Sequence, residues 1–113
     1  MRKETTKQTG DYFEQLACNY LIENNFFIIE TNYYAKKLGE IDIIAKKDDI
    51  YHFVEVKSGS GFEAIYNITP SKLRKLYKSI EYYLKVKNLD VTYSIDAIVF
   101  DNQQIEYLEN ISL

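Results

Sequence analysis

The sequence predicts an α/β protein in which a mixed sheet of about five strands is flanked by helices. Two segments have apolar residues at helical spacing, which is typical of amphipathic helices. The segments between and after them show the alternation or the β-branched and aromatic content of strands. The predicted order along the chain is α-β-β-β-α-β-β, and this order indicates a mixed sheet with helices packed against it.

The composition is that of a globular domain. The chain has 113 residues, of which 46% are apolar, enough for one core and too few for two. We therefore expect a single domain over residues 1–113, in which the polar residues 1–8 form a disordered tail. The net charge of −3 argues mildly against general affinity for nucleic acid.

The sequence excludes a disulfide and a zinc site, and it contains neither a membrane span nor a signal peptide. Cys18 is the only cysteine, which excludes an intramolecular disulfide and a cysteine-based zinc site, and His52 has no second histidine for a zinc cluster. No segment has the roughly 18–20 apolar residues that cross a bilayer, and the N-terminus lacks the apolar core of a signal peptide. We expect a soluble cytoplasmic protein without membrane association.

The first helix is predicted to begin at Thr9-Gly10-Asp11, with Thr9 or Asp11 as its N-cap, and to end at about Asn24. Glu14 lies at the edge of the apolar stripe of this helix, where acids are uncommon unless they are paired or bind a ligand. The alternative is an acid in an early helical turn, favoured there by the helix dipole. The stripe itself consists of Phe13, Leu16, Ala17, Tyr20 and Leu21.

The next segments predict three strands. Residues 26–34 form the first, which is apolar enough to be covered on both faces. Gly39 allows the backbone to turn, or to approach a ligand closely, just before the second strand. The second and third strands form a hairpin over residues 39–57, with turn residues at Lys47-Asp48-Asp49.

The hairpin gathers charged residues on one sheet face. A turn centred between Asp48 and Asp49 places Asp42 directly opposite Glu55 at a Cβ separation of about 4.5–5.5 Å, and Glu40 opposite Lys57. Opposed carboxylates repel each other, so this pattern favours a divalent-cation site, and oxygen ligands suit Mg²⁺ or Mn²⁺. The alternative is a solvated sheet face with an ion pair between the opposed glutamate and lysine.

The rest of the chain supplies a basic helix and two strands. Residues 58–69 predict a mobile flap beside the acidic face. Thr69 and Pro70 then begin the second helix, whose exposed side is mostly basic. This surface is typical of nucleic-acid binding, although a merely solvated helix face is the alternative. The last strands are Val91–Phe100 and Gln104–Leu108, and the cations that we expect to bind nucleic acid are Lys72, Arg74, Lys75 and Lys78.

Asp42, followed by Glu55-Val56-Lys57 on the next strand, resembles the PD-(D/E)xK nuclease core, the restriction-endonuclease-like fold. Further matches over residues 9–108 make the chain similar to the YraN family, small bacterial proteins grouped with endonucleases that are similar to archaeal Holliday junction resolvases. The matching residues are Gly10, Glu14, Ala17, Leu21, Asn32, Gly39-Glu40-Ile41-Asp42-Ile43-Ile44, Phe53-Val54-Glu55-Val56-Lys57, Lys72 and Asp96.

The resemblance implies a Mg²⁺- or Mn²⁺-dependent endonuclease acting on DNA, in particular branched or single-stranded DNA in recombination or repair. Asp42, Glu55 and the backbone carbonyl of Val56 would be metal ligands. Lys57 would position or deprotonate the attacking water and stabilise charge on the phosphorane. Glu14 would reach the site from the first helix, as the matching glutamate does in the resolvases.

Glu40 is expected not to be a metal ligand itself and to orient Lys57.

The sequence departs from the family pattern at two places. The family usually has an arginine where this chain has Gly59, and Arg-Phe-Asp where it has Ser94-Ile95-Asp96. Each replacement removes a cation that could hold a phosphate, which lowers the expected substrate affinity more than the expected metal affinity.

Two expectations about partners follow. A non-catalytic nucleic-acid-binding module, or a partner adaptor on the same fold, is the alternative to a nuclease. Resolvases of this fold are dimers, so a homodimer is also expected, through Tyr93–Phe100 or Gln104–Leu108 as an edge or a face.

Overall fold

Five strands form one mixed sheet in the order β1-β2-β3-β4-β5, with a helix before β1 and another between β3 and β4. The computed structural model describes residues 6–59, 68–102 and 104–111. A short 3₁₀ turn at Lys36–Leu38 precedes β2. Within these residues the helices and strands are α1 Thr6–Glu23, β1 Phe27–Tyr34, β2 Glu40–Lys47, β3 Ile50–Ser58, α2 Pro70–Val86, β4 Tyr93–Asp101 and β5 Gln104–Leu108.

The predicted α/β class and the order α-β-β-β-α-β-β are confirmed. β3 and β4 are parallel, and α2 forms the crossover connection between them, whereas every other neighbouring pair is antiparallel. The predicted start of α2 is also confirmed. Thr69 caps the helix by accepting a 3.2 Å hydrogen bond from the Lys72 backbone N–H, and Pro70 occupies the first helical position.

The two helices cover the two faces of the sheet because successive strand residues point to opposite sides. In β3, Phe53 belongs to the apolar cluster under α2, and Val54 belongs to the cluster under α1. The α2 cluster contains Ile41, Ile44, Phe53, Leu73, Leu76, Ile80, Tyr83 and Ile95. The α1 cluster contains Ala17, Leu21, Ile43, Ala45, Val54, Ile98 and Phe100.

The predicted register of the central hairpin is confirmed. Lys47 pairs with Ile50 and Ile43 with Val54, as expected for a turn centred between Asp48 and Asp49. Both aspartates have positive φ, 52° and 63°, the conformation of a two-residue type I′ turn that matches the twist of the flanking strands. The turn therefore sets which β3 residues reach the level of Asp42.

Two predictions at the N-terminal side are wrong. α1 begins at Thr6, so residues 6–8 are helical rather than part of a disordered tail, and Thr9-Gly10-Asp11 lie within the helix instead of capping it. Thr and Gly cost only about 0.5–1 kcal/mol in a helix, which does not stop one that is otherwise favourable. β1 is not covered on both faces, because it is an edge strand in which Phe27 is 72% and Tyr34 71% exposed.

The predicted flap, the predicted dimer edge and the absence of a membrane span concern segments outside the central hairpin. Most of the predicted flap, residues 60–67, lies outside the described residues. β4 cannot supply a dimer edge, because it pairs with β3 on one side and β5 on the other, whereas β5 is an edge strand and a dimer through it remains a prediction. Within the described part of the chain, neither helix is long and apolar enough to cross a membrane.

Asp96 is a fully buried acid in the middle of β4. Its Oδ1 accepts hydrogen bonds from the Ser94 hydroxyl at 2.6 Å and the Asn110 backbone N–H at 2.9 Å. Its Oδ2 is 2.6 Å from Nδ1 of the buried His52 and accepts a hydrogen bond from the Tyr107 hydroxyl. Burial and this hydrogen bond raise the pKa of Tyr107. Asp96 thus joins β3, β4, β5 and the residues after β5.

Candidate metal centre

The candidate site lies where β2 and β3 stop pairing. Their ladder ends at Ile43 and Val54, although β2 continues to pair with β1 as far as Glu40. Two residues beyond Val54, the Val56 backbone N–H donates a 2.8 Å hydrogen bond to Oδ2 of Asp42. The Asp42 side chain therefore takes the place of a backbone partner, and its carboxylate is held at the point where the two strands separate.

Three carboxylates converge at this point from two elements. Glu14 on α1, and Glu40 and Asp42 on β2, each have a carboxylate oxygen within 4.8 Å of the others. Glu14 and Asp42 are half-buried, and Glu40 is exposed. Oxygen donors at this spacing match the preference of Mg²⁺ and Mn²⁺ for carboxylate and water ligands.

Glu55 joins the group from β3. Its carboxyl donates a hydrogen bond to Asp42, which brings the two acids together as the hairpin register predicted. The pKa of Glu55 is raised to about 8, chiefly by burial and then by the charge of Asp42 and this hydrogen bond. The charge of Lys57 partly opposes the rise, and that of Glu40 adds slightly to it. Without a cation, Glu55 therefore keeps its proton at neutral pH and uses it in the hydrogen bond to Asp42.

Glu14 is held by Asn32 of β1, a residue to which the sequence assigned no role in the site. The Asn32 side chain hydrogen-bonds the Glu14 carboxylate, which lowers its pKa, but burial outweighs this and the net pKa is raised. The charges of Asp42, Glu40 and Asp11 add to the rise. Glu40 has a raised pKa as well: although its side chain is exposed, its carboxylate is partly desolvated, and the charges of Asp42 and Asp11 add to the rise. The centre thus accumulates negative charge that a cation would offset.

Asp11 and Asn32 differ in how far the sequence indicates them. Asp11 precedes Glu14 by three positions on α1, a spacing that puts both on one helix face. Asn32 has a φ of 52°, a left-handed conformation that asparagine tolerates better than most residues. Its contact with α1 is between distant segments, so no local pattern could reveal it.

The pKa of Glu55 has a consequence for stability. A carboxyl whose pKa is about 8 when folded and 4.5 when unfolded favours the unfolded chain increasingly as pH rises between these values. Glu55→Gln removes this penalty and keeps a hydrogen-bond donor to Asp42. We expect the variant to be more stable than the wild type by at least about 2 kcal/mol at pH 9, since each pH unit costs about 1.4 kcal/mol.

Urea unfolding in EDTA at pH 4 and pH 9 measures this difference. The two proteins should be nearly equal at pH 4, where the carboxyl is protonated in both states. Glu106→Gln, at an exposed position of β5, is the control and should change little at either pH. A gain for Glu55→Gln that is the same at both pH values would contradict the assigned ionisation.

The ion pair between Glu40 and Lys57, which was the alternative to a metal site, does not form among the described residues. The ion pairs among the described residues are Lys46–Asp49 and His52–Asp96. Since the β2–β3 ladder ends before this level, Glu40 turns to Asp42 instead of to β3. Glu40 is therefore placed among the candidate ligands, whereas Lys57 acts electrostatically on Glu55.

The basic residues of α2 divide into two sets. Lys72 and Lys75 line a cavity of about 210 Å³ that also contains Glu40, Glu55 and Lys57. Arg74 and Lys78 are exposed but do not line this cavity. The structure thus brings the first two cations to the carboxylates and directs the other two elsewhere on α2.

Gly39 shapes one wall of this cavity. Its φ of 137° is a conformation that side chains rarely adopt, and a Cβ there would lie 3.3 Å from Oγ of Ser79 on α2. Glycine therefore allows both the turn into β2 and the close approach to α2. The turn predicted at Gly39 is thus present, and the close approach found there is to α2, whereas an approach to a ligand stays a prediction.

Together, the fold and the site define a small α/β protein in which an acidic centre lies at an opening in the sheet, next to a lysine and a basic helix. Residues 13–100 match the family described as "Uncharacterised protein family UPF0102". The chain belongs to this family, which is the YraN-type family that the sequence resemblance indicated.

Relatives match over nearly their whole length. The chain is 49% identical over 112 residues to a UPF0102 protein of Sulfurovum sp. (strain NBC37-1), covering 98% of this chain and 99% of the relative. It is 50% identical over 109 residues to one of Aliarcobacter butzleri (strain RM4018), covering 96% and 99%. A UPF0102 protein of Helicobacter hepaticus is 48% identical over 108 residues, covering 96% and 97%.

Proposed function

We propose that this protein is a metal-dependent endonuclease of the cytoplasm that hydrolyses phosphodiester bonds in DNA. The observation that carries the proposal is the convergence of Glu14, Glu40 and Asp42 within 4.8 Å, with Glu55 hydrogen-bonded to Asp42 beside Lys57. A cluster of four carboxyl groups lowers the stability of the fold, because the charges repel one another and are partly removed from water. A bound cation would offset both effects.

The residues fit a hard divalent cation. Glu14, Glu40, Asp42 and Glu55 supply carboxylate oxygens, which suit Mg²⁺ and Mn²⁺. The Val56 carbonyl, implied by the resemblance, is a further candidate ligand, because its own backbone N–H is already fixed on Asp42. A bound cation would polarise a phosphoryl oxygen and lower the pKa of a water molecule.

The protein groups around the centre have distinct tasks in this reaction. Asn32 and the Val56 N–H orient the Glu14 and Asp42 carboxylates and so reduce the reorganisation needed at the site. Lys57 would place a positive charge next to the phosphorane as it forms, or accept the proton of the attacking water. Lys72 and Lys75, on the facing wall, would hold phosphates of the bound strand.

A non-catalytic nucleic-acid-binding module is the second candidate. The replacement of family arginines by Gly59 and Ser94 favours it, because both substitutions remove cations that could grip a phosphate. Such a module would keep its DNA affinity when Asp42 is replaced and lose it when the α2 cations are replaced. Its affinity would also fall steeply with salt.

Metal binding is the first test. In calorimetric titrations with Mn²⁺, we expect the wild type to bind and the double variant Asp42→Asn/Glu55→Gln to lose at least about 100-fold in affinity, because two anionic ligands become neutral. The matched control is Asp48→Asn/Asp49→Asn. These aspartates are exposed at the other end of the same hairpin, in positive-φ positions where asparagine is well tolerated.

The titration is repeated with a short DNA strand present, because phosphate oxygens can complete a metal site. Binding by the wild type and by the control, with loss in the double variant, supports the proposal. If the wild type binds no Mn²⁺ with or without DNA, the nuclease proposal is wrong.

A further inference from the structure

The cavity between the acidic centre and α2 has an apolar part that the proposed hydrolysis does not use. Its walls include Leu38 from the 3₁₀ turn and Leu73 and Leu76 from α2. Leu73 and Leu76 are 5% and 6% exposed, so they form a firm apolar floor, whereas Leu38 is 39% exposed and lies at the rim. The cavity thus presents an apolar surface directly beside Glu55 and Lys57.

The size of the cavity limits what can enter it. About 210 Å³ is less than the roughly 300–1,000 Å³ of pockets that hold drug-sized ligands. A duplex is far too large for it, and a base within a duplex has both faces covered by its neighbours. A single planar base that has left the stack is of a size to fit, and apolar side chains are typical walls for such a base.

The charges around the cavity suit the strand that would carry the base. Lys57 lies on the sheet side, and Lys72 and Lys75 lie on the α2 side, three positions apart on one helix face. Phosphates on either side of an inserted base would pass between these lysines. The same walls contain the carboxylates Glu40 and Glu55, so the phosphate beside the inserted base would lie at the acidic centre.

We propose that this cavity receives one unpaired nucleobase next to the phosphate to be cleaved, so that the substrate class is DNA containing at least one unpaired nucleotide. This inference rests on the proposed nuclease function and adds the substrate feature that it recognises. Extruding a base from intact duplex costs unstacking and unpairing energy, which is smallest for a base that is already unpaired. The preference therefore follows from the geometry of the cavity without any sequence-specific contact.

Binding in EDTA, where metal-dependent cleavage cannot occur, tests the inference on the wild-type protein. Fluorescence anisotropy compares three otherwise identical DNA duplexes: fully paired, with one bulged base, and with an abasic site in place of the bulged base. We expect the bulged duplex to bind at least about tenfold more tightly than the paired one. The abasic duplex should lose most of that gain, since its backbone is equally flexible but it has no base to insert.

A variant identifies the cavity as the place of binding. Leu38→Trp narrows the rim at an already exposed position and should lower the ratio of bulged-duplex to paired-duplex affinity to about one. Val86→Trp is the matched control, because Val86 is 55% exposed at the far end of α2 and does not line the cavity. Circular dichroism and thermal unfolding check that both variants fold.

Equal affinity for the three duplexes, whether tight or weak, overturns the inference, and so does a preference that survives Leu38→Trp. These outcomes are separate from failure of the nuclease proposal, which appears as the absence of Mn²⁺ binding. A protein that binds Mn²⁺ but treats the three duplexes alike keeps the proposed function and loses only the substrate feature.

Discussion

Lys57→Ala should reduce Mn²⁺-dependent cleavage of single-stranded DNA by at least about 100-fold, the loss typical of removing one group that stabilises charge in a transition state. Lys57 lines the cavity beside Glu55 and lowers the pKa of that carboxyl, so its charge is felt at the acidic centre. Because it would also repel a cation there, we expect metal affinity to stay the same or to rise. Single-turnover cleavage and calorimetry measure the two effects separately.

The combination of reduced cleavage with unreduced metal affinity distinguishes Lys57 from the carboxylates. Glu55→Ala should lose both cleavage and metal affinity, since it removes a ligand. Lys87→Ala is the control for charge alone, because Lys87 is exposed at the C-terminal cap of α2. Cleavage by Lys57→Ala within a few-fold of the wild type would show that this lysine takes no part in the chemistry.

Asp96→Asn should be the most destabilising of these substitutions, although Asp96 contributes no ligand to the acidic centre. Its two oxygens accept hydrogen bonds from Ser94, Tyr107 and the Asn110 backbone and contact His52, all in a fully buried setting. An amide replaces one acceptor oxygen by a donor, which then faces other donors. We expect a loss of about 3–5 kcal/mol, as for breaking a buried ion pair.

Thermal unfolding should show this as a fall in melting temperature of roughly 10–20 °C for a chain of this size. Asp90→Asn is the control at an exposed position just before β4 and should change the melting temperature by little. Mn²⁺ affinity measured well below the transition should be unchanged in Asp96→Asn. An unchanged melting temperature would mean that the hydrogen bonds of Asp96 add little to stability.

The parts of the structure that depend on local patterns were predictable from the sequence. The turn at Asp48 and Asp49 sets the hairpin register along the β2–β3 ladder, and Asp42 and Glu55 lie directly beyond the last paired residues of that ladder. Thr69 and Pro70 likewise mark the start of α2 through local backbone chemistry. Such features follow from neighbours in the chain, so a single sequence contains what is needed to predict them.

The parts that were not predictable depend on contacts between distant segments. Nothing near Glu40 indicates that the β2–β3 ladder ends before it reaches the level of this residue. The predicted position of Glu40 directly opposite Lys57 therefore has no counterpart in the ladder. The exposure of β1 follows from its place at the sheet edge, which the apolar content of residues 26–34 does not reveal. The support of Glu14 by Asn32 requires α1 and β1 to be placed relative to each other.

Because the β2–β3 ladder ends early, the distance between the carboxylates on the two strands is adjustable. Beyond Ile43 and Val54, no backbone ladder joins the two strands, and the Asp42 side chain spans the gap. With Asp42 held by its hydrogen bond across this gap, the distance between the carboxylates of β2 and β3 can therefore change by small rotations of the Glu40 and Glu55 side chains, at no cost in ladder hydrogen bonds. Mg²⁺ needs oxygen ligands at about 2.0–2.1 Å and Ca²⁺ at about 2.3–2.6 Å, so a centre with an adjustable width can close around cations of different radius.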